Sequence, residues 1–96
     1  MTADEDLLRD YRTTFLRYLP RREESVMHAG YELGRAALAS GRSLLDVVRM
    51  HHDVLIEVLR DSPGEELPLI AGAASDFLTE VLASYAMAQR ETSAGA

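Results

Sequence analysis

The feature that most constrains this fold is the segment over residues 44–60, which carries apolar side chains around most of a helix. An ordinary surface helix has an apolar stripe only about 100° wide or somewhat more. Here two stripes lie side by side at helical spacing: Leu44, Val48, His51, Leu55 and Leu59, and then Val47, Met50, Val54 and Val58. We therefore predict that this is the central helix, covered by its own chain on one side and by a second copy on another.

Periodicity predicts three more helices, over about residues 7–19, 21–40 and 66–90. Pro20 ends the first of them, because proline disfavours helical backbone in the residue before it. Gly41 is suited to cap the second, and Ser43 with Asp46 resembles a capping box at the start of the segment over residues 44–60. The predicted fold class is all-α, an antiparallel four-helix bundle over residues 1–90 followed by a disordered tail over residues 91–96.

Two glycines, Gly30 and Gly34, lie one turn apart inside the second predicted helix. Each costs about 1 kcal/mol relative to alanine in a helix interior, so some compensating role is expected. Small residues at helical spacing usually mark a close approach of two helix backbones, and this is the interpretation that we favour. A hinge or a ligand contact at these glycines is the alternative.

The composition excludes several classes of function. The 96 residues fit one domain, and the absence of cysteine excludes disulfides, thiolate zinc sites and cysteine nucleophiles. The net charge of −6 argues against binding nucleic acid through its phosphates. Because no basic residue lies between Arg60 and Arg90, a partner docking on that half would present arginine or lysine. No apolar run reaches the roughly 18 residues of a membrane span and the acidic amino end does not resemble a signal peptide, so we predict a cytoplasmic protein.

The candidate chemistry is confined to His51 and His52, which Asp53 follows directly. Adjacent residues point about 100° apart on a helix, whereas metal ligands must converge, so we interpret His51 as a buried, hydrogen-bonded side chain. The serines lie in no pattern with histidine and carboxylate, and a glycine-rich phosphate loop is lacking. We predict a protein without catalytic residues, cofactor or metal.

Two stretches of the chain have a distinctive sequence: Val-Val-Arg-Met-His-His-Asp-Val-Leu-Ile-Glu-Val-Leu over residues 47–59, and Ser-Asp-Phe-Leu-Thr-Glu-Val-Leu-Ala-Ser-Tyr-Ala-Met-Ala over residues 75–88. They resemble the third and fourth helices of the amino-terminal regulatory domain of RsbU, a family of bacterial stress-response phosphatases. Tyr11, the Arg17-Tyr18 pair and Glu24 also fall where the first two helices of that family would place them. The resemblance extends over about residues 5–90.

The resemblance implies a non-catalytic domain that binds RsbT, a kinase-like switch protein released under stress. In that family, binding activates a PP2C-type phosphatase domain, which dephosphorylates an anti-anti-sigma factor and so frees a sigma factor. The partner would dock in the groove between the second and fourth helices. By their positions in the family pattern, the groove residues would be Glu24, His28, Asp76, Thr79 and Ala83.

The resemblance also implies a homodimer, and the excess apolar surface of residues 44–60 predicts its interface at Met50, Val54 and Val58. The 96 residues include no phosphatase domain, so we expect either a domain excised from a longer chain or a stand-alone binding protein. The alternative function belongs to a different class: a small-molecule or signal-sensing bundle, with its ligand between the helices near Gly30, Gly34 and His51.

Overall fold

The structure, a computed structural model, describes residues 3–95 and contains four α-helices and a short 3-10 helix. The α-helices are α1 (Ala3–Tyr18), α2 (Glu24–Ala39), α3 (Leu44–Arg60) and α4 (Leu67–Gly95), and the 3-10 helix Gly64–Glu66 leads into α4. No strand occurs among residues 3–95. The predicted all-α fold class is confirmed.

Local capping chemistry separates α2 from α3. Gly41 has a φ of 78°, in the left-handed region that favours glycine, and its N–H donates to the Leu38 carbonyl at 3.0 Å. The Ser43 hydroxyl accepts from the Asp46 N–H at 3.1 Å, while the Asp46 carboxylate accepts from the Ser43 N–H at 3.2 Å. These bonds form a complete capping box, so both predicted helix ends are confirmed.

The turn between α1 and α2 is longer than predicted. Arg22 has a φ of 51°, which an α-helix cannot contain, so α2 begins at Glu24 rather than near residue 21. The Arg22 N–H donates to the Tyr18 carbonyl at 2.8 Å and closes the end of α1. This turn places the Arg22 side chain beside α4.

The central helix is α4, and the prediction that α3 is central is wrong. α4 makes the most extensive contacts with the other helices, above all with α2, and its Phe77 and Val81 side chains are 0% exposed. In α3 the buried residues are Val47, His51 and Val54. Helical spacing shows how much of α3 is apolar, but it does not show how much of that surface a neighbouring helix covers.

α2 and α4 approach each other closely at the two glycines of α2. A Cβ atom added to Gly34 would overlap the Ser84 hydroxyl and the Val81 carbonyl oxygen, and one added to Gly30 would lie 3.0 Å from the Phe77 ring. The predicted close approach at these glycines is confirmed. Because Gly30 faces Phe77 and Gly34 faces Ser84, residue numbers rise in the same direction along both helices.

A hydrogen-bonded polar pair lies in the core between α1 and α3. The Tyr11 hydroxyl and His51 Nδ1 are 2.7 Å apart, and the two residues are 1% and 2% exposed. The His51 ring stacks on Phe15 with an interplanar angle of 2°. Burial lowers the pKa of His51 to about 4 and raises the pKa of Tyr11, so both side chains are neutral at pH 7. His51 is the buried, hydrogen-bonded histidine that the sequence predicts.

The carboxyl-terminal part of α4 differs from the prediction, because the helix continues through Gly95 instead of ending near residue 90. Arg35 donates to the Glu91 carboxylate at 3.3 Å, and the Thr92 hydroxyl donates to the Ala88 carbonyl at 3.0 Å. Residues 91 and 92 therefore have partners on α2 and α4. Residue 96 lies outside the described residues, and the division into residues 1–90 and 91–96 stays a prediction.

One stretch of the described residues, Gly64–Thr92, is long and apolar enough to cross a membrane by length and composition alone. The sequence contains no uninterrupted apolar run of that length. The stretch qualifies because its hydropathy is averaged over 18 residues, so a few polar residues within it are tolerated. Core helices of soluble proteins also pass this test, and in this stretch 33% of the apolar window is buried inside the protomer. The stretch is weak evidence for a membrane span.

Replacing Gly34 by alanine is expected to destabilise the protein by about 3 kcal/mol, because the added methyl overlaps the α4 backbone, which cannot move aside cheaply. Gly30→Ala should cost less, about 1 kcal/mol, since only the edge of the Phe77 ring must shift. Gly72→Ala is the matched control, because a Cβ atom there meets nothing within 4 Å and should stabilise α4 by up to about 1 kcal/mol. Urea denaturation of the three variants measures these differences, and equal effects at Gly34 and Gly72 would contradict the packing described here.

The Tyr11–His51 pair is expected to make stability depend on pH. In the unfolded chain histidine titrates near 6.5, whereas the folded value is about 4. The contribution of neutral His51 to the free energy of unfolding is therefore fully present above pH 6.5. It is lost as the pH falls from 6.5 towards 4, a loss on the order of 2–3 kcal/mol. His51→Gln keeps a hydrogen-bonding side chain but removes the titration, so its unfolding free energy should fall less over this range. A wild-type slope in His51→Gln would refute this assignment.

Candidate functional site

The five residues predicted to bind a partner are all exposed on α2 and α4: Glu24, His28, Asp76, Thr79 and Ala83. Glu24 and His28 lie one turn apart on α2. Asp76, Thr79 and Ala83 follow at three- and four-residue spacing on α4, so each set shares one face of its helix. These five residues are called the α2–α4 surface below.

Two ion pairs show that these faces of α2 and α4 adjoin. Arg22, which lies two residues before α2, bonds the Asp76 carboxylate at one end. Arg35 bonds Glu91 with an N–O distance of 3.3 Å at the other end. By helical spacing, Arg35 lies on the face of α2 that carries the two predicted residues, and Glu91 lies towards the side of α4 that carries Asp76. The structure thus brings the two predicted sets to neighbouring strips on one side of the molecule.

An aromatic patch lies on the α2 strip among carboxylates. The rings of His28 and Tyr31 are nearly parallel, at 8°, with centroids 6.0 Å apart, and His28 Nε2 lies 3.8 Å from the Glu32 carboxylate. Glu24 is exposed one turn before His28. A guanidinium group can pair with a carboxylate and stack on an aromatic ring at the same time, so this strip is chemically suited to an arginine-bearing partner.

Arg22 is the residue of this region that is not predicted from the sequence. Its left-handed backbone costs a non-glycine residue about 1–2 kcal/mol, and such strain persists only where surrounding contacts hold it. The Arg22 N–H donates to the Tyr18 carbonyl, and the guanidinium bonds the Asp76 carboxylate. No local pattern distinguishes Arg22 from Arg21 in the sequence, so only the fold reveals its position.

The predicted dimer-interface residues lie on the side of α3 that the protomer itself covers. Val54 is 1% exposed and belongs to the core, which corrects its assignment to an interface with a second copy. Met50 and Val58 are half-buried, Met50 against the core and Val58 beside α1 and α4. The exposed large apolar residues of α3 are Leu44 (41%), Leu45 (58%) and Ile56 (46%). Leu44 belongs to one of the two stripes seen in the sequence, and Leu45 and Ile56 widen the apolar circumference further. Spacing alone does not show which part of it the protomer leaves uncovered.

The two adjacent histidines of α3 have different surroundings and do not converge on one point. His51 is buried against Tyr11, whereas His52 is exposed, and their ring centroids are 6.0 Å apart. In the described part of the chain, no group of three or more histidine, aspartate or glutamate side chains is arranged to hold a metal ion. The space beside Gly30 and Gly34, where the alternative function would place a ligand, is occupied by side-chain and backbone atoms of α4.

Comparison with protein families yields a match over most of the chain. The family described as the N-terminal domain of phosphoserine phosphatase RsbU matches residues 9–88. The matched range contains all five residues of the α2–α4 surface, and it corresponds to a regulatory domain rather than a catalytic one. No curated protein and no solved structure matches the chain. The match confirms the resemblance found in the sequence, and the chain belongs to the RsbU N-terminal domain family.

Proposed function

We propose that the protein is a partner-binding and dimerisation module of a partner-switching stress pathway that regulates a sigma factor. Its partner is an RsbT-like switch kinase that docks on the α2–α4 surface, and docking activates a PP2C-type phosphatase. In this proposal the four helices form an antiparallel bundle that acts as a cytoplasmic homodimer. The observation that carries the proposal is the exposure of an acidic surface between α2 and α4 in a chain that belongs to a regulatory domain family.

The charge of the surface supports a basic partner. Asp76 and Glu24 are exposed, and Glu80 and Glu91 lie on the same side of α4 as Asp76. Exposed charges of one sign attract an oppositely charged partner during its approach and disfavour partners of like charge. A kinase-like partner presenting arginine or lysine at its docking face therefore fits this surface.

Arg22 competes with a basic group of the partner for the Asp76 carboxylate. A cation that pairs with Asp76 must replace the Arg22 guanidinium, which already bonds that carboxylate. Both side chains are about half-exposed, at 43% and 57%, and exposed ion pairs contribute only about 0–1 kcal/mol. The displacement is therefore inexpensive, and Arg22 holds Asp76 in place before the partner arrives.

Reversing two charges of the surface, Glu24→Arg with Asp76→Arg, is expected to reduce affinity for an RsbT-type kinase about a hundredfold or more, because like charges then face each other. Isothermal titration calorimetry measures the affinity, while circular dichroism and light scattering check helicity and mass. Both should remain as in the wild type, because the two residues are exposed.

The matched control for this experiment is Asp10→Arg with Glu65→Arg, which changes the net charge equally at exposed positions on α1 and the 3-10 helix. The control pair should retain most of the wild-type affinity. Equal losses in the two double variants would indicate a general charge effect, and undiminished binding by the first would refute the assignment of the surface.

Releasing Asp76 is expected to strengthen binding. Arg22→Gly removes the competing guanidinium and supplies the residue best suited to a φ of 51°. Because the exposed pair is worth at most about 1 kcal/mol, affinity for the kinase should rise about twofold to fivefold. Arg21→Gly in the same turn is the control and should leave the affinity close to that of the wild type. A fall in affinity for Arg22→Gly alone would mean that Arg22 itself contacts the partner.

A further inference from the structure

We propose that α3 pairs with α3 of a second copy in antiparallel orientation, about a two-fold axis that passes beside His52. This inference rests on the proposed homodimer and names the surface that forms it. The surface is called the α3 seam and is made of Leu45, Val48, His52, Ile56 and Leu59. It lies on a different side of α3 from Val54, which the core of the protomer covers.

The seam is accessible in the protomer. Leu45 and Ile56 are 58% and 46% exposed, His52 is exposed, and Val48 and Leu59 are half-buried. At 100° per residue the five side chains fall within about 80° of the helix circumference, which is the width of a seam between two packed helices. Exposed apolar side chains aligned over the whole length of a helix are a recognised mark of an interaction site.

The seam is symmetric about its middle residue, and this symmetry identifies the occupant as a second copy. Leu45 and Leu59 lie seven residues before and after His52, and Val48 and Ile56 lie four residues before and after it. In a two-fold antiparallel pair, a residue before the axis meets the residue the same distance after it on the other copy. Leucine would therefore meet leucine, valine would meet isoleucine, and His52 would meet its own counterpart. The spacing of three and four residues is also that of helices packed side by side in a coiled coil.

The charges beside the seam are complementary under the same symmetry. Arg49 lies three residues before His52 and Asp53 one residue after it, both on the same flank of the seam. In the antiparallel pair this flank of one copy meets the same flank of the other, so Arg49 approaches Asp53 of the second copy twice over. Arg49 and Asp53 of the second copy are not directly opposite but are displaced by two residues, about 3 Å along the helix, a distance that an arginine side chain spans. The two Asp53 side chains approach each other once at the same offset, so the attractive pairs outnumber the repulsive one. Within the part of the chain that the structure describes, Asp53 has no ion pair inside the protomer and is available for one with a second copy.

The size of the seam sets the strength of the expected association. α3 has 17 residues and is therefore about 25 Å long, so a single pair of such helices lies at the small end of specific interfaces. We expect a reversible dimer with a dissociation constant on the order of micromolar. Light scattering over a concentration series should show the mass rising from that of the monomer to twice that value.

Cysteine cross-linking tests the position and direction of the seam, because the chain has no cysteine of its own. His52→Cys places the thiol beside the two-fold axis, where a short bismaleimide should link the two copies efficiently. Leu45→Cys alone should not be linked, since its two thiols would lie about 20 Å apart along the pair. A mixture of Leu45→Cys and Leu59→Cys chains should be linked, because these positions meet. Met87→Cys, 45% exposed on α4, reports the background of random collisions.

Each outcome of this experiment decides a different question. Efficient linking of Leu45→Cys to itself would mean a parallel pair and would overturn the proposed seam. A dimeric mass with no linking above the Met87→Cys background would place the interface elsewhere, so the seam would fail while the proposed homodimer stood. A monomeric mass at every concentration would refute both, and the α2–α4 surface would still be judged by its own binding experiment.

Two sets of substitutions test the energetics of the seam without cysteine. Ile56→Asp is expected to raise the dissociation constant at least tenfold, whereas Leu16→Asp, at an equally exposed leucine of α1, should not. Arg49→Asp and Asp53→Arg should each weaken the dimer, and the double exchange should restore it, since opposite charges then face each other again. Failure of the double exchange to restore the dimer, with helicity intact, would contradict the proposed antiparallel alignment.

Discussion

The close approach of α2 to α4 at Gly34 is the constraint on which the rest of the structure depends. With no side chain at that position, the α2 backbone lies directly against Ser84 and the Val81 carbonyl. Phe77 lies at the level of Gly30, one turn earlier, where Tyr11 contacts it edge-on and Phe15 stacks on it. α1 therefore packs on a pair of helices whose separation is already set by a glycine. Because that separation is small, a few aromatic rings are enough to fill the core of this 96-residue chain.

The buried Tyr11–His51 pair adds specificity to this packing. Apolar contacts between α1 and α3 tolerate small shifts along the helices, but a hydrogen bond of 2.7 Å between buried atoms does not, because either atom without its partner would be buried and unsatisfied. The exposed pair of Arg12 with Glu57 joins the same two helices nearer the surface. The alignment of α3 with α1 is thus set by polar geometry, whereas that of α2 with α4 is set by shape.

The elements that could be predicted from the sequence are those in which one residue type is required locally. Gly41 and the Ser43–Asp46 box end and begin helices for reasons contained in a few residues, and Gly34 indicates a close approach because nothing else compensates for its cost. The identity of the central helix could not be predicted in this way, because an apolar stripe does not show which helix packs against it. The same limit explains the misplacement of Val54. It also explains why Arg22 was missed, because its left-handed backbone is stabilised by Tyr18 and Asp76, and Asp76 is distant in the sequence.

The length of α4 has a mechanical consequence. The helix is continuous over Leu67–Gly95, so Asp76 and Gly95 are parts of one rod with about 28 Å between them. The Arg35–Glu91 pair, at the surface, links the later part of this rod to α2. A tilt of only about 10° at Asp76 would displace Gly95 by about 5 Å, so a rigid α4 would convert a small rotation near Asp76 into a larger displacement of its carboxyl end.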